Sequence, residues 1–201
     1  MFIVAVIPFS SGIKGFENSI KAIKTNATAD EAEIADTTEN KDNEALNDKE
    51  IEIIVCKVME HITENSHKDT KKAILAVCKN NYIYLKGTGY TDFEADISRY
   101  SDSFLEELYT LYEEEDYSIT LNGDIVPIPL TEQNGGFTAT NDEYPYILRV
   151  ASPWDVFSKS YVRGARYAGG ISIYGISYLC ENGMNWKQAL SWYMPNFEIN
   201  G

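Results

Sequence analysis

The chain has little positive charge. Its 17 lysine and arginine residues stand against 31 aspartate and glutamate residues, which gives a formal net charge of −14. Nucleic acids and anionic membrane surfaces would repel a protein with this balance, so neither is an expected partner. The acidic residues are concentrated between Asp30 and Glu50 and at Glu113–Asp116, as is typical of solvated linkers and exposed helix faces.

Cysteine and histidine are also scarce. The three cysteines, Cys56, Cys78 and Cys180, form neither a Cys-x-x-Cys motif nor a cluster with histidine, so we expect no metal site and no cofactor. Three buried free thiols are the favoured interpretation, and pairing of two of them in an exported protein is the alternative. His61 and His67 are interpreted as surface or capping residues.

Long apolar runs are absent. The first residues, MFIVAVIPFSS, are apolar but too short to span a membrane, and they have no basic segment before them. The polar stretch that follows cannot bury enough surface to offset the entropy lost on ordering. We therefore expect residues 1–15 to be the remnant of a signal or anchor, 16–48 to be an acidic flexible linker and 49–201 to be the folded domain. The protein is then extracytoplasmic, either membrane-anchored or secreted; a core strand is the alternative for the first segment.

Helical periodicity dominates the first half of the folded domain. Apolar residues recur at helical spacing in three stretches, which are residues 49–64, a second helix through Leu85 that Gly87 ends, and a third helix from Phe104 to Tyr112. Two pairs with the spacing of a capping box precede the second and third helices. These pairs are Ser66 with Asp69 and Ser103 with Glu106.

The period changes in the second half. Asn122-Gly123 between β-rich runs predicts a hairpin, and Pro127 and Pro129 indicate an edge strand after it. A last helix is predicted from Trp186 to Tyr193 with Asn185 as its cap. Glycines, Gly175 among them, indicate turns and close backbone approaches. Helices followed by strands predict an α+β fold, with N-terminal helices packed on an antiparallel or mixed sheet with glycine-rich loops.

Three segments of the sequence resemble, in the same order, motifs of the SpoIID/LytB sporulation family. VMEHIT and AILAVCKNNYIYL are similar to the family's Val-(Val/Ala)-Ala-Glu-Met-Pro and to its helix ending in Ala-Ala-Arg-Thr-Tyr. NGDIVPIPLTEQNGGFTATNDEYPYILRVASPWD resembles a strand pair, then Ser/Asn-Gly-Gly-x-Thr, then Pro-Tyr-Leu-x-x-Val and Trp-Asp. RYAGGISIYGISYLCENGMNWKQALSWYMPNFEI resembles Gly-His-Gly-Val-Gly-Met-Ser-Gln-Tyr-Gly-Ala and a helix ending near Tyr-Tyr-Pro-Gly. The resemblance extends from Glu50 to Ile199.

The resemblance implies a lytic transglycosylase acting on peptidoglycan glycan strands from which the stem peptides have been removed. One carboxylic acid suffices for this reaction, because it protonates the leaving oxygen and then takes a proton from the sugar hydroxyl that closes the ring. Glu60 is the counterpart of the family's glutamate, with Glu64 as the fallback. The residues implied to bind substrate are Asn134, Gly135, Gly136, Thr138, Tyr167, Ser172 and Tyr174. Other cell-wall hydrolases of sporulation are the implied protein partners.

Replacements within the family pattern support a second interpretation. Tyr167 stands where the family has His, Ile173 stands where it has Gln, and residues 87–112 contain no counterpart of the Cys/His pair that binds zinc in some relatives. These replacements favour a catalytically inactive protein that binds glycan or a hydrolase partner, whereas the presence of Glu60 favours cleavage. A third interpretation is a soluble α+β domain, rich in tyrosine, that is unrelated to the family.

Overall fold

A computed structural model of the protein describes residues 46–138, 142–159 and 170–201. Tyr167, the apolar segment at residues 1–15 and all but the end of the predicted linker lie outside these ranges. Residues Asn47–Gly201 pack as one unit. The boundaries proposed for the three parts of the chain stay predictions.

Within the described ranges the structure contains five α-helices and four short strands. The helices are α1 (Asp48–Met59), α2 (Lys68–Gly87), α3 (Asp102–Glu114), α4 (Ile173–Glu181) and α5 (Trp186–Tyr193). The strands are β1 (Ser118–Thr120), β2 (Leu130–Thr131), β3 (Ile171–Ser172) and β4 (Glu198–Asn200). Two 3₁₀-helices complete the set, at Ile97–Arg99 and Pro153–Phe157. The α+β class is thereby confirmed.

The strands form two separate pairs. β1 and β4 are antiparallel, with Ile119 opposite Ile199, and β2 and β3 are parallel, with Thr131 opposite Ser172. The parallel pair aligns the segment that leads into Asn134 with the start of α4. These two pairs, of two and three residues per strand, take the place of the single sheet that the sequence predicts.

Helix α2 is the centre of the core. Every residue from Ala73 to Val77 is at most 1% exposed, because the other four described helices and β1 all pack against this helix. A helix that is apolar around its whole circumference at its middle needs such complete cover. No helix in the described part of the chain is long and apolar enough to cross a membrane.

The helix caps agree only in part with the sequence. Asn185 caps α5 in a capping box with Gln188, as predicted. The caps predicted at Ser66 and Ser103 are wrong, because α2 and α3 are capped by His67 and Ser101 instead. His67 Nδ1 accepts a hydrogen bond from the backbone N–H of Asp69, at 3.2 Å. This contact confirms the capping role of His67.

The predicted turn at Asn122-Gly123 forms, but the hairpin does not extend from it. Both residues have positive φ, at 54° and 87°, and Leu121 bridges Asp124. β1, which precedes the turn, pairs with the distant β4 rather than with the residues that follow. The predicted edge strand at Pro127 and Pro129 is therefore wrong: proline lacks an N–H for pairing, and the only strand here, β2, begins directly after Pro129.

All three cysteines are buried and free, which confirms the favoured interpretation. Burial raises the pKa of each thiol, to about 11 for Cys180. The thiolate form, which is the reactive one, is therefore disfavoured at all three positions.

Candidate functional site

Asp155 is the centre of the candidate site. It lies in the 3₁₀-helix Pro153–Phe157 and is fully buried. Its Oδ2 accepts a hydrogen bond from the backbone N–H of Asn134 at 2.7 Å, and its Oδ1 accepts one from the hydroxyl of Ser172 at 2.8 Å. A carboxylate withdrawn from water requires such donors. Asp155 thus fixes the loop that contains Asn134 against the start of α4.

Ser172 links the carboxylate to the helix. Its Oγ donates to Asp155 and accepts from the backbone N–H of Gly175 at 2.9 Å, so that it also caps α4. The residue is fully buried. The neighbouring Tyr174 is half-buried, and its backbone N–H donates to the carbonyl of Glu132 at 3.1 Å. Burial raises the pKa of Tyr174. Ser172 therefore organises the site from within, and Tyr174 lies closer to the surface.

Tyr193 of α5 holds the chain segment just before Asp155 from inside the protein. Its hydroxyl lies 2.7 Å from Ser152 Oγ and accepts a hydrogen bond from Trp154 Nε1, also at 2.7 Å. The side chain is fully buried, and burial raises the pKa of its phenol. The chain segment just before Asp155 is therefore anchored at two residues.

The loop at Asn134–Gly136 has the backbone that the Asn-Gly-Gly sequence suggests. Gly135 and Gly136 have φ values of 64° and 112°, which side-chain-bearing residues rarely adopt. Asn134 is 5% exposed, and its Oδ1 accepts from the hydroxyl of Thr131 at 2.7 Å. Its Nδ2 is buried without a hydrogen-bond partner in the described structure. The loop is thus held through Asn134 while its glycines approach the surface.

Thr138 is used for local structure. Its hydroxyl donates to the carbonyl of Leu148 at 2.7 Å and accepts from the N–H of Val150 at 2.5 Å. It is fully buried. Thr138 therefore joins two backbone segments in this structure.

Two asparagines on α2 hold the chain segment that leads to the Asn134–Gly136 loop. Asn81 Nδ2 donates to the carbonyl of Ile128 at 2.8 Å, and its Oδ1 accepts the N–H of the same residue at 2.7 Å. Asn80 donates to the carbonyl of Val126 at 2.8 Å. Asparagine is a weak helix former, so its occurrence twice within an apolar helix was the available signal for a structural task.

Glu60 lies at the end of α1, with its side chain 24% exposed. Its Oε1 accepts from Lys57 Nζ at 2.9 Å. The adjacent His61 is half-buried, and burial lowers its pKa to about 4, against the opposing effect of the Glu60 charge. The fallback residue, Glu64, is exposed and accepts from Ser101 Oγ at 3.0 Å.

The structure brings some of the predicted site residues together. Asn134 and Ser172 share Asp155, the glycines adjoin Asn134, and Tyr174 adjoins Ser172. No hydrogen bond or ion pair among the described residues joins Glu60 to these groups. The role of Glu60 as acid and base, and the substrate contacts of the other residues, stay predictions.

A surface groove of about 320 Å³ lies elsewhere, between α1 and α3. It contains none of the predicted site residues and is lined by Asp48, Ile51, Glu52, Tyr109, Tyr112 and Glu113. In the ranges that the structure describes, no three His, Cys, Asp or Glu side chains are grouped as metal ligands.

Asp155 is the residue that sequence reasoning missed as part of the site. Its only signal was its place in the Trp-Asp pair of the second matched segment.

Comparison of the sequence with protein-family models and with curated proteins finds no significant match for this chain.

Proposed function

We propose that this chain is a divergent protein of the SpoIID/LytB type that binds the glycan strands of bacterial peptidoglycan outside the cytoplasm, as a secreted or membrane-anchored protein. The observation that carries the proposal is the pair of hydrogen bonds that Asp155 accepts, from Asn134 and from Ser172. Asn134 and Asp155 lie at distant positions in the second of the segments that resemble the family, and Ser172 lies in the third. Their convergence on one carboxylate supports a common site for those parts.

Binding fits the geometry better than cleavage does. A general acid must hold a proton and release it to the leaving oxygen, so it works best away from cations. Glu60 is instead paired with the ammonium group of Lys57 at 2.9 Å. Asp155, the carboxylate that contacts Asn134 and Ser172, is fully buried, and its hydrogen bonds hold separate backbone segments together.

Lytic cleavage by Glu60 is the second candidate function. The observation in its favour is the exposure of 24% of the Glu60 side chain, which leaves the carboxylate open to a ligand. A cell-wall hydrolase of sporulation is the further partner that the resemblance suggests for either function.

The test uses purified glycan strands freed of stem peptides. Cosedimentation measures binding, and mass spectrometry of the soluble products detects anhydro-sugar ends. We expect wild-type protein and Glu60→Gln to bind equally and to release no such ends. Glu52→Gln, which makes the same charge change on the same helix, is the matched control.

The possible outcomes separate the two functions. Anhydro ends that appear with wild-type protein and with the Glu52→Gln variant, but not with Glu60→Gln, would establish cleavage. If the wild-type protein neither binds nor cleaves the strands, both functions are excluded.

A further inference from the structure

An exposed aromatic surface adjoins the buried Asp155 and its hydrogen-bond partners, Asn134 and Ser172. Four residues form this surface, which we call the aromatic face: Trp154, Phe157, Tyr178 and Trp192. Phe157 is 66% exposed and Trp192 is 39% exposed, and Val156 beside them is 51% exposed. Contiguous exposed apolar groups of this kind mark binding surfaces more often than chance would give.

The rings are arranged in a row. The ring centroids of Phe157 and Tyr178 lie 6.0 Å apart with planes inclined by 17°, and those of Tyr178 and Trp154 lie 5.8 Å apart with planes inclined by 13°. Trp192 continues the row 5.2 Å from Trp154, at 59°. Three of the four rings are thus nearly parallel.

The row is held in place from the inside of the molecule. Trp154 Nε1 donates to the hydroxyl of Tyr193 at 2.7 Å, and Trp192 Nε1 donates to the carbonyl of Ala151 at 2.8 Å. Both indole N–H groups are therefore satisfied by the protein. A ligand that meets the rings has little side-chain entropy left to remove, which favours binding.

The part of the chain that carries Tyr178 and Trp192 has few charged residues. Residues 170–201 contain only two acidic residues, Glu181 and Glu198, and one basic residue, Lys187, although the whole chain has a net charge of −14. The local chemistry therefore fits a ligand that offers apolar faces and neutral polar groups.

We infer that the aromatic face is the surface on which the sugar rings of a glycan strand stack. One face of a pyranose ring carries C–H groups with a small positive charge, which are attracted to the negative face of an aromatic ring. Phe157 and Trp192, the exposed rings at the two ends of the row, can each hold one sugar of a strand, because the rings between them stack against their neighbours. The inference rests on the proposed function and adds an exposed contact surface to the buried residues Asn134 and Ser172.

The experiment measures the affinity of glycan strands freed of stem peptides for Trp192→Ala and Phe157→Ala. We expect each variant to bind roughly tenfold more weakly than the wild type, as is usual when an aromatic anchor is removed. Trp192→Phe keeps a ring and is expected to recover part of the affinity. Ile125→Ala is the control, because Ile125 is also 39% exposed but lies beside the Asn122-Gly123 turn.

Three results would overturn the inference. Wild-type affinity in Trp192→Ala and Phe157→Ala would exclude the aromatic face while leaving glycan binding intact, and a changed oligomeric state in light scattering would then assign the face to a second copy. Equal weakening by Ile125→Ala would point to general instability, which urea unfolding of each variant measures directly. Absence of binding by the wild type would exclude both this inference and the proposed function.

Discussion

Gly175 stands where no side chain fits. A Cβ atom built on it would lie 1.8 Å from the hydroxyl oxygen of Tyr193 and 2.5 Å from Trp154 Nε1. Gly175 also donates its N–H to Ser172, so that one residue touches the buried phenol, an indole of the aromatic face and the cap of α4. The absence of a side chain here is what allows these groups to meet.

Gly175→Ala is therefore expected to destabilise the protein by about 1–3 kcal/mol, the usual cost of extra volume in a packed core. The added methyl group displaces Tyr193, whose hydrogen bonds to Ser152 and Trp154 then lengthen. Urea unfolding followed by tryptophan fluorescence measures the change. Gly87→Ala is the control, because Gly87 lies in the last turn of α2 and a Cβ atom added there would contact no other atom within 4 Å.

An unchanged unfolding midpoint in Gly175→Ala would show that Tyr193 can move without loss. The control is expected to be neutral or slightly stabilising, because alanine has less conformational freedom than glycine in the unfolded chain. A destabilised Gly87→Ala would mean that the comparison does not isolate the contact with Tyr193.

At the scale of the elements, a line of ion pairs joins α2 to α3 and to the residues just after α3. Four lysines of α2 face four carboxylates in the pairs Lys68–Glu114, Lys71–Glu107, Lys72–Glu115 and Lys79–Asp116. The pairs differ greatly in burial. The Lys71 side chain is 4% exposed, whereas the Asp116 side chain is 91% exposed. Their contributions to stability should differ accordingly.

Glu107→Gln is expected to destabilise the protein by about 1–3 kcal/mol. The substitution leaves the buried ammonium group of Lys71 without a negative charge, with the carbonyl of Glu64 at 2.6 Å as its remaining strong acceptor. Glu107 is itself 41% exposed, which keeps the cost below that of a fully buried pair. Thermal unfolding measures it, and Asp116→Asn is the control with no expected change.

A double variant separates charge from packing. Lys71→Met combined with Glu107→Gln removes both charges and is expected to recover part of the stability lost in Glu107→Gln. Equal stability of wild type and Glu107→Gln would show that water reaches the Lys71 ammonium group and replaces the lost partner.

At the scale of the whole molecule, the parts that could be predicted are those governed by local rules. The residues of α5 and its cap at Asn185 follow from the sequence, and so does the end of α2 at Gly87. α4 illustrates the opposite case: Gly175 indicates a turn, yet Ile173–Glu181 is helical. Its glycine is required by the distant Tyr193, which a local propensity does not register.

The candidate site shows the same division. The glycines of the sequence indicate turns, and Gly135 and Gly136 have the positive φ values that turns often require. The pairing of Asn134 and Ser172 through Asp155 joins residues far apart in the sequence, as does the pairing of β1 with β4. Contacts of this kind depend on tertiary packing, which no periodicity or turn signal encodes.

The acid stability of the whole molecule depends on groups with opposite behaviour. Burial lowers the pKa of His61 from the ordinary 6.5 to about 4. For the carboxyls of Glu50 and Glu115, burial raises the pKa, but hydrogen bonds from Lys86 and Asn47 to Glu50, and the pairing of Glu115 with Lys72, lower it by more. Both carboxyls therefore have a pKa below the ordinary 4.5.

The directions of these pKa shifts define two separate pH windows in which the protein loses stability. Between pH 6.5 and about 4 the unfolded chain takes up a proton at position 61 that the folded protein does not, so the free energy of unfolding falls as the pH falls through this window. The two carboxyls stabilise the fold above pH 4.5, and their contribution is lost as the pH drops through their lower folded values. Histidine therefore controls the first loss of stability and the carboxyls control the second.

His61→Gln is expected to abolish the first loss and leave the second unchanged. The loss in the wild type between pH 6.5 and about 4 is roughly 1–3 kcal/mol, in the lower part of that range if water reaches the half-buried ring. Urea unfolding at half-unit pH intervals measures the slope, which is independent of any constant effect of the substitution. A wild-type slope in His61→Gln would mean that His61 is protonated as readily in the folded protein as in the unfolded chain, and that burial of its ring does not govern the first stage of acid unfolding.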